Sequence, residues 1–477
     1  MNDSREAKTI RVVIDALSQR QPETAFLISP ETGIMVSFQE LQQQSVLLSS
    51  MLRQAGLGKG DKVAFLMDNG LLTAQLFLGT MYGGYVAVPL NVRAGVVQLS
   101  YMLDHCDARV VFVEDQYTEL LRDALESVRR DICIIPASVD GPLPTFETAA
   151  DDQPPLVSAA DDVALLMYSS GSTGKPKAAI HTHSSVLAHG WNSIEAHRLS
   201  SMDRSLLVLP LYHINAECVT LIPTLLSGGS VVVAHRFVVS KFWDWIDDLR
   251  VTWSALVPTI ISELVDWDDP GKDCRQSAFQ RIRFFRSSSA PLSPSLHRQF
   301  LDKFNLPLLQ AMGSTEGGNV FSNPLPPGKN KIGSPGLPWG FESRIVDRDG
   351  ADVPSGESGE VLLRGSALMK GYYKDPEGTA AVVDIDGWLH TGDLARQDED
   401  GYFFVVGRSK ELIIKGGVNI APRQLDEVLE SHPAVLEAAA VGIPDRYFGE
   451  DAVAFVVLHD FRCSGNLLHL NDRIISY

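Results

Sequence analysis

The sequence predicts an α/β protein: a large N-terminal domain of two doubly wound α/β subdomains plus a β-rich lobe, then a small α+β C-terminal domain. Three observations predict it. From Val63 to about Gly333, short apolar runs alternate with amphipathic helical stretches. From there to Val406 the chain turns dense in Gly, Pro and Asp between short alternating strands. At Gly407-Arg-Ser-Lys410 the texture changes again, to one helix between apolar strands. Strand, helix, strand at the first spacing calls for parallel sheets with helices on both faces.

Taken in order, Val63-Ala-Phe-Leu-Met67 reads as a buried strand, followed by a helical pattern from Leu71 to Met81. Tyr85-Val-Ala-Val-Pro89, Ala108–Val113 and Ile132-Cys-Ile-Ile135 repeat the theme. A second series comprises Leu206–Leu209, Ser230–Val233, Trp253–Val257 and Ile282–Phe285. In the turn-dense region, Glu342–Val346 and Glu360–Arg364 alternate as strands of an antiparallel lobe. Beyond Lys410, a helix from Pro422 to His432 lies between strands Val435–Gly442 and Ala452–Leu458, a small βαβ-type domain behind a polar junction. No repeat of fixed period interrupts this order.

A chain of 477 residues exceeds what one core usually supports, so several domains are expected. Fifty-nine acidic against 41 basic side chains, a net charge of -18, disfavours nucleic acid and anionic membrane as partners. Cys106, Cys133, Cys218, Cys274 and Cys463 are scattered and odd in number, which fits free thiols in a reducing compartment. Met1 to Arg11 lacks the apolar core of a signal peptide, and no apolar run approaches the ~18 residues of a membrane span. The expectation is a cytoplasmic protein with no membrane partner.

The most informative segment is Tyr168-Ser-Ser-Gly-Ser-Thr-Gly-Lys-Pro-Lys177, between the apolar runs Val163–Met167 and Ala178–Ile180. Its glycines allow close approach to a polyanion, its hydroxyls donate hydrogen bonds, and its lysines supply charge. Pro176 after Lys175 excludes a Walker A loop, and no G-x-G-x-x-G is present. Nor is there a G-x-S-x-G nucleophile elbow. His181, His183, His189, His197 and His213 cluster in sequence but lack metal-ligand spacing. His213 is read as a pocket residue, and the others as helix-surface positions.

This loop resembles that of the adenylate-forming superfamily: acyl-CoA synthetases, peptide-synthetase adenylation domains and firefly-type luciferases. Companion segments stand in the family's order. Val86–Arg93 resembles an early structural motif of the CoA ligases, and Leu209-Pro-Leu-Tyr-His213 the segment gating the acyl pocket. Ser287-Ser-Ser-Ala-Pro-Leu292 is similar to the adenine loop, Gly313-Ser-Thr-Glu316 to Gly-x-Thr-Glu, and His390-Thr-Gly-Asp393 to Thr-Gly-Asp. Gly407–Ile413 with Lys415-Gly-Gly-Val-Asn-Ile420 resembles the hinge and the loop behind it. The motifs fall closest to the acyl- and aryl-CoA ligases. Ala178, where the family usually has Gly, and Met312, where it commonly has Tyr, depart from the pattern.

The resemblance implies ATP-dependent activation of a carboxylic acid through an acyl-AMP, with transfer to coenzyme A. ATP, Mg²⁺ and coenzyme A are the implied cofactors. ATP contacts fall to Ser169, Ser170, Gly171, Ser172, Thr173, Gly174, Lys175 and Lys177, with Ser289, Ala290 and Pro291 along adenine. Met312, Gly313, Ser314 and Thr315 line the nucleotide, while Asp393 and Arg408 hold the ribose. Glu316 carries Mg²⁺, and His213, Asn215, Ser288 and Gly313 meet the acid. Thr173, Lys177, His213, Glu316 and Lys410 are the implied catalytic set, Lys410 as the pivot. Gly416 and Gly417 line the thiol path.

The implied division is 1–406 for the ATP and acid domain, 407–410 for the hinge, and 411–477 for a small lid domain that is incomplete by the family's measure. The family's Pro-Lys-x-x-x-Gly-Lys segment does not occur before Tyr477, which implies either truncation or slowed adenylation. Asn215 in place of an ammonium-pairing Asp favours an acid without an α-amine. The alternatives are a carrier-protein pantetheine arm or an amine as acceptor, and a catalytically impaired nucleotide-binding relative. A homodimer is compatible with the sequence.

Overall fold

The computed structural model describes residues 7–144, 156–169, 175–268, 276–415, 418–430, 432 and 434–458. Among these, four sheets form. The first is six-stranded, ordered Cys133–Ala137, Ala108–Glu114, Lys62–Leu66, Val86–Pro89, Val163–Ser169 and Lys177–Thr182. Its pairs are parallel until the last, which is an antiparallel hairpin. Val86–Pro89 is buried at every position, as a strand covered on both faces must be.

The second sheet has nine strands, from Leu337–Pro338 at one edge through Gly318–Ser322, Leu308–Ser314, Phe284–Ser287, Trp253–Leu256, Arg204–Leu207 and Ser230–Val233 to Ala25–Ile28 and Met35–Ser37. The last two strands were not expected from sequence. Ala25–Ile28 runs parallel to Ser230–Val233, so the N-terminal segment completes a sheet whose other strands lie far along the chain.

The facing sides of the two α/β units share one core, while the far face of the first sheet keeps a cluster of its own around Ala64, Val88 and Val111. Phe65 and Met67 of the first sheet share one apolar cluster with Leu206, Val231 and Phe285 of the second. The helix Leu71–Tyr82, with only Gln75 incompletely covered, fills the space between them; a largely apolar surface suits a helix packed on all sides. A polar clasp also joins the sheets. Asp140 accepts from His235 Nε2 at 2.9 Å, from Ser29 Oγ, and from the backbone N–H of Leu71.

The β lobe is a four-stranded antiparallel sheet, Glu342–Val346, Ser358–Arg364, Leu389–Gln397 and Phe403–Arg408, as expected. Its core takes in Ala179 and Phe321, which ties the lobe to both larger sheets. The C-terminal region departs from a βαβ unit. Pro422–Glu430 is followed by an antiparallel hairpin, Val435–Asp445 with Gly449–Leu458, paired from Val435↔Leu458 to Asp445↔Gly449. Both strands run past the sequence-based ends because Asp445 itself closes the turn, accepting from the N–H groups of Tyr447 and Phe448. Among the described residues no helix is long and apolar enough to cross a membrane.

Candidate active site

The hairpin formed by Val163–Ser169 and Lys177–Thr182 pairs Ser169 with Lys177 at its open end. Lys175 is exposed there, whereas Ser170, Gly171, Ser172, Thr173 and Gly174 lie outside the described residues. The outer edge of Lys177–Thr182 is not left bare. Lys370 N–H donates to Ile180 O, Ile180 N–H to Gly371 O, and Tyr373 N–H to Ala178 O, at 2.8, 2.9 and 2.8 Å.

That pairing sets Tyr372 between two expected site residues. Its hydroxyl donates to Glu316 Oε1 at 2.8 Å, and its ring lies under Lys177 Nζ, 4.8 Å from the centroid. Burial and the adjacent Glu316 carboxylate raise the phenol pKa, so Tyr372 remains a donor. The N–H of Met369 donates to Glu316 O, fixing the same residue from behind. Lys177 Nζ also stands 3.8 Å from Asp375 Oδ2.

Glu316 rides on a tight connection between Leu308–Ser314 and Gly318–Ser322 that needs glycine twice. A Cβ on Gly313 would lie 1.9 Å from Gly318 O. Gly318 has φ +62, and a Cβ there would meet His189 Nδ1 at 2.2 Å. Beneath this turn, His181 Nε2 pairs with Thr315 O at 2.9 Å, and His189 Nε2 with His181 Nδ1 at 3.3 Å. A carbonyl only accepts, so His181 donates through Nε2 and accepts from His189 through Nδ1. Burial pushes His181 down to about 4 and His189 well below its ordinary value, keeping both rings neutral.

The histidines therefore correct the sequence reading. His181, His183, His189 and His197 are all buried: His181 lies on the strand Lys177–Thr182, and the helix His183–His197 that carries the others runs within the molecule with little solvent face. His213 alone of the five is exposed, capping the short helix Ile214–Ala216 with its ring 4.7 Å from that of Tyr212.

Opposite Glu316, Asp393 is buried and accepts from Arg408 Nε at 2.8 Å across paired strands. Burial raises the Asp393 pKa, the Arg408 guanidinium opposes that rise, and the charge of Glu316 adds to it. The three groups thus share one electrostatic neighbourhood. Met312 packs against the β-lobe cluster. Ser314 Oγ accepts from Gly317 N–H, closing the turn that holds Thr315 partly exposed.

Ser288 is buried, while Ser289, Ala290 and Pro291 are exposed, with Ser289 at φ +71. Asn215 Nδ2 donates to Ser288 Oγ and Ser289 Oγ, at 2.9 and 3.1 Å, so the gate segment and the adenine-type loop are joined. Lys410 stands exposed in the short turn Ser409–Glu411, and Gly416 and Gly417 lie outside the described residues. Tyr372, Arg286 and Asn319 were missed from sequence. Arg286 could have been found, because a charge there interrupts the apolar strand before Ser287-Ser-Ser.

The hairpin of Val163–Ser169 and Lys177–Thr182 beside a Glu–Tyr–Lys group, with a buried Asp393 paired to an exposed Arg408, defines a nucleotide-using enzyme with a large α/β body and a small C-terminal domain. The family model for AMP-binding enzymes matches residues 14–373, and that for their C-terminal domain matches 424–477. The chain belongs to this adenylate-forming family, on its acyl- and aryl-CoA ligase side. It is 43% identical over 455 residues to a sulfoacetate–CoA ligase of Cupriavidus necator, covering 95% of this chain and 88% of that protein. It is 36% identical over 454 residues to a feruloyl-CoA synthase of an Amycolatopsis species, covering 93% and 89%. The crystal structure of ATP-bound MatB from Rhodopseudomonas palustris matches with TM-score 0.86 and 27% identity, covering 96% and 90%. The protein is an AMP-forming acid–CoA ligase: it activates a small carboxylic acid with ATP and passes the acyl group to coenzyme A.

Proposed function

We propose that the reacting groups assemble around Glu316, Tyr372, Lys177 and the Asp393–Arg408 pair, and that the acid is a short one of the sulfoacetate kind. The convergence of these five side chains, from three separate sheets and their connections, carries the reading. The acid's carboxylate attacks the α-phosphorus of ATP and expels pyrophosphate; a thiolate then attacks the acyl carbonyl and expels AMP. Two anions meet in the first step, so the site must supply fixed positive charge and donors without later rearrangement.

Lys177 provides that charge at the mouth of the hairpin, and its position over Tyr372 keeps it aimed inward. Asp393 accepts from the ribose hydroxyls, oriented by Arg408. Glu316 offers the hard carboxylate oxygen that Mg²⁺ prefers, aligned by the Tyr372 hydroxyl, so the residues fit the ion. When bound, Mg²⁺ neutralises phosphate charge. Ser169 and the following loop meet the outgoing phosphates, and His213 lines the entrance for the acid. Residues 407–410 serve as the hinge between 1–406 and 411–477, with Lys410 as pivot. The cysteine pattern supports a reducing, cytoplasmic setting.

The test is incubation with ATP, Mg²⁺, coenzyme A and a panel of short acids, following thioester by mass and acyl-AMP by hydroxylamine trapping. Thioester without any hydroxamate would refute the acyl-AMP route. Hydroxamate without thioester would move the acceptor to a carrier-protein pantetheine or an amine.

A further inference from the structure

Arg286 lies on the strand Phe284–Ser287 and is 1% exposed. Strand alternation puts it on the face of Phe284, where the pattern demands an apolar side chain. Among the described residues, every hydrogen-bond partner it has is neutral. Nη1 donates to Asn215 Oδ1 at 2.9 Å and Ser288 Oγ at 3.1 Å, Nη2 donates to Asn319 Oδ1 at 2.8 Å, and the buried Nε has no acceptor.

A guanidinium only donates, so these bonds dictate how both amides are turned: oxygens toward Arg286, nitrogens away. Asn215 Nδ2 therefore reaches the Ser288–Ser289 loop, and Asn319 Nδ2 is buried with no acceptor among the described residues. The cluster thus holds a surplus of donors around one positive charge. Burial alone pushes Arg286 down to about 9, which leaves it protonated at neutral pH. Glu217, two residues past Asn215, does not compensate it. Glu217 is fully buried with neither oxygen bonded among the described residues, and burial raises its pKa well above the carboxylate range, favouring its neutral form.

A buried charge with no counter-ion is costly, and it is tolerated where a ligand brings the missing opposite charge. The reacting carboxylate cannot fill that role for long, because it gives up its charge on forming the acyl-phosphate anhydride. A second anion on the acid persists through both steps. We propose that Arg286 is the specificity-determining charge of the acid site: acting through Asn215 and Ser288, it selects acids bearing a second anionic group remote from the reacting carboxylate. The proposal rests on the acid–CoA ligase reading above and makes Arg286 a positioning residue, one layer behind the acid.

The test compares sulfoacetate with methylsulfonylacetate, which replaces one sulfonate oxygen by a methyl group and so removes only the second charge. With the full chain, kcat/KM for thioester formation should favour sulfoacetate by about 30-fold, and sulfoacetate should protect better against thermal unfolding. Asn319→Asp supplies Arg286 with an internal carboxylate. It should fold at least as well as the parent and cut that preference about tenfold, through KM for sulfoacetate rather than KM for ATP. Arg286→Met should act in the same direction, with Arg286→Lys retaining part of the preference. Equal use of the two acids by the parent would overturn the proposal, as would an unchanged preference in Asn319→Asp or an equal loss with both acids. No thioester or hydroxamate from any acid would sink the ligase reading itself, which is a different result from thioester made without preference.

Discussion

Replacing Tyr372 by Phe removes one hydrogen bond and little else. The Phe ring keeps the face over which Lys177 stands, 4.8 Å from the centroid, so the cation–π contact survives. What goes is the 2.8 Å donation to Glu316 Oε1. A bond from a neutral hydroxyl to a carboxylate contributes about 1.5–3 kcal/mol, and the partial exposure of Glu316 argues for the lower end. The same figure follows from partners that orient a metal ligand, whose loss weakens metal affinity or activity about 10–100-fold. Freed of Tyr372, the carboxylate gains a lone pair but loses its direction, and direction should win for an ion that demands near-octahedral geometry. The expected result is a roughly tenfold rise in the Mg²⁺ concentration giving half-maximal pyrophosphate release at saturating ATP. Tyr372→Leu should do worse, because it also unseats Lys177. A Mg²⁺ dependence unchanged in both variants would refute the reasoning.

Gly318→Ala should destabilise the protein by about 2–4 kcal/mol in urea denaturation, because φ +62 disfavours a side chain and His189 occupies its space. Pairing it with His189→Ala should recover part of that loss; strict additivity would disprove the clash. Asp393→Asn should raise KM for ATP about tenfold. Because burial raises the Asp393 pKa, its carboxylate contribution to ATP binding is present at high pH and is lost as pH falls through a value above the ordinary carboxylate range. That acid limb should vanish from the ATP-binding profile of the Asn variant. His235→Gln breaks the clasp to Asp140. The hydrogen bond to Asp140 raises the His235 pKa, so its stabilisation is complete below the unfolded-state value and fades as pH rises through the folded one. The variant should lose about 1 kcal/mol at pH 5.5 and less at pH 8.5, by thermal or urea unfolding, since the pair is partly solvated.

Much of the fold could be read from residues whose roles are local. Val63–Met67 and Ser230–Val233 are apolar and β-branched runs bounded by turns, and both are strands. Ala25–Ile28 escaped notice because four residues carry little periodicity and their partner lies about two hundred positions away. His181, His183, His189 and His197 were read as helix-surface positions, but His181 lies on a strand and the helix carrying the others is buried. Histidines and small polar residues mimic a solvent face, whereas here they meet a carbonyl, a serine hydroxyl and each other inside the molecule. At the site, Glu316, Lys177 and Asp393 stood in recognisable order. Tyr372 did not, since its function depends on Lys370–Tyr373 joining the edge of the Lys177–Thr182 strand, a tertiary pairing no local pattern announces.

The N-terminal strand has a consequence for how the protein is made. Ala25–Ile28 has no parallel partner until Ser230–Val233 emerges from the ribosome. At about 5–20 residues per second, that leaves the parallel edge of Ala25–Ile28 waiting for roughly 10–40 seconds without the strand that completes it. Throughout that interval the nascent chain is a ready client for chaperones and a hazard to its neighbours on the same polysome.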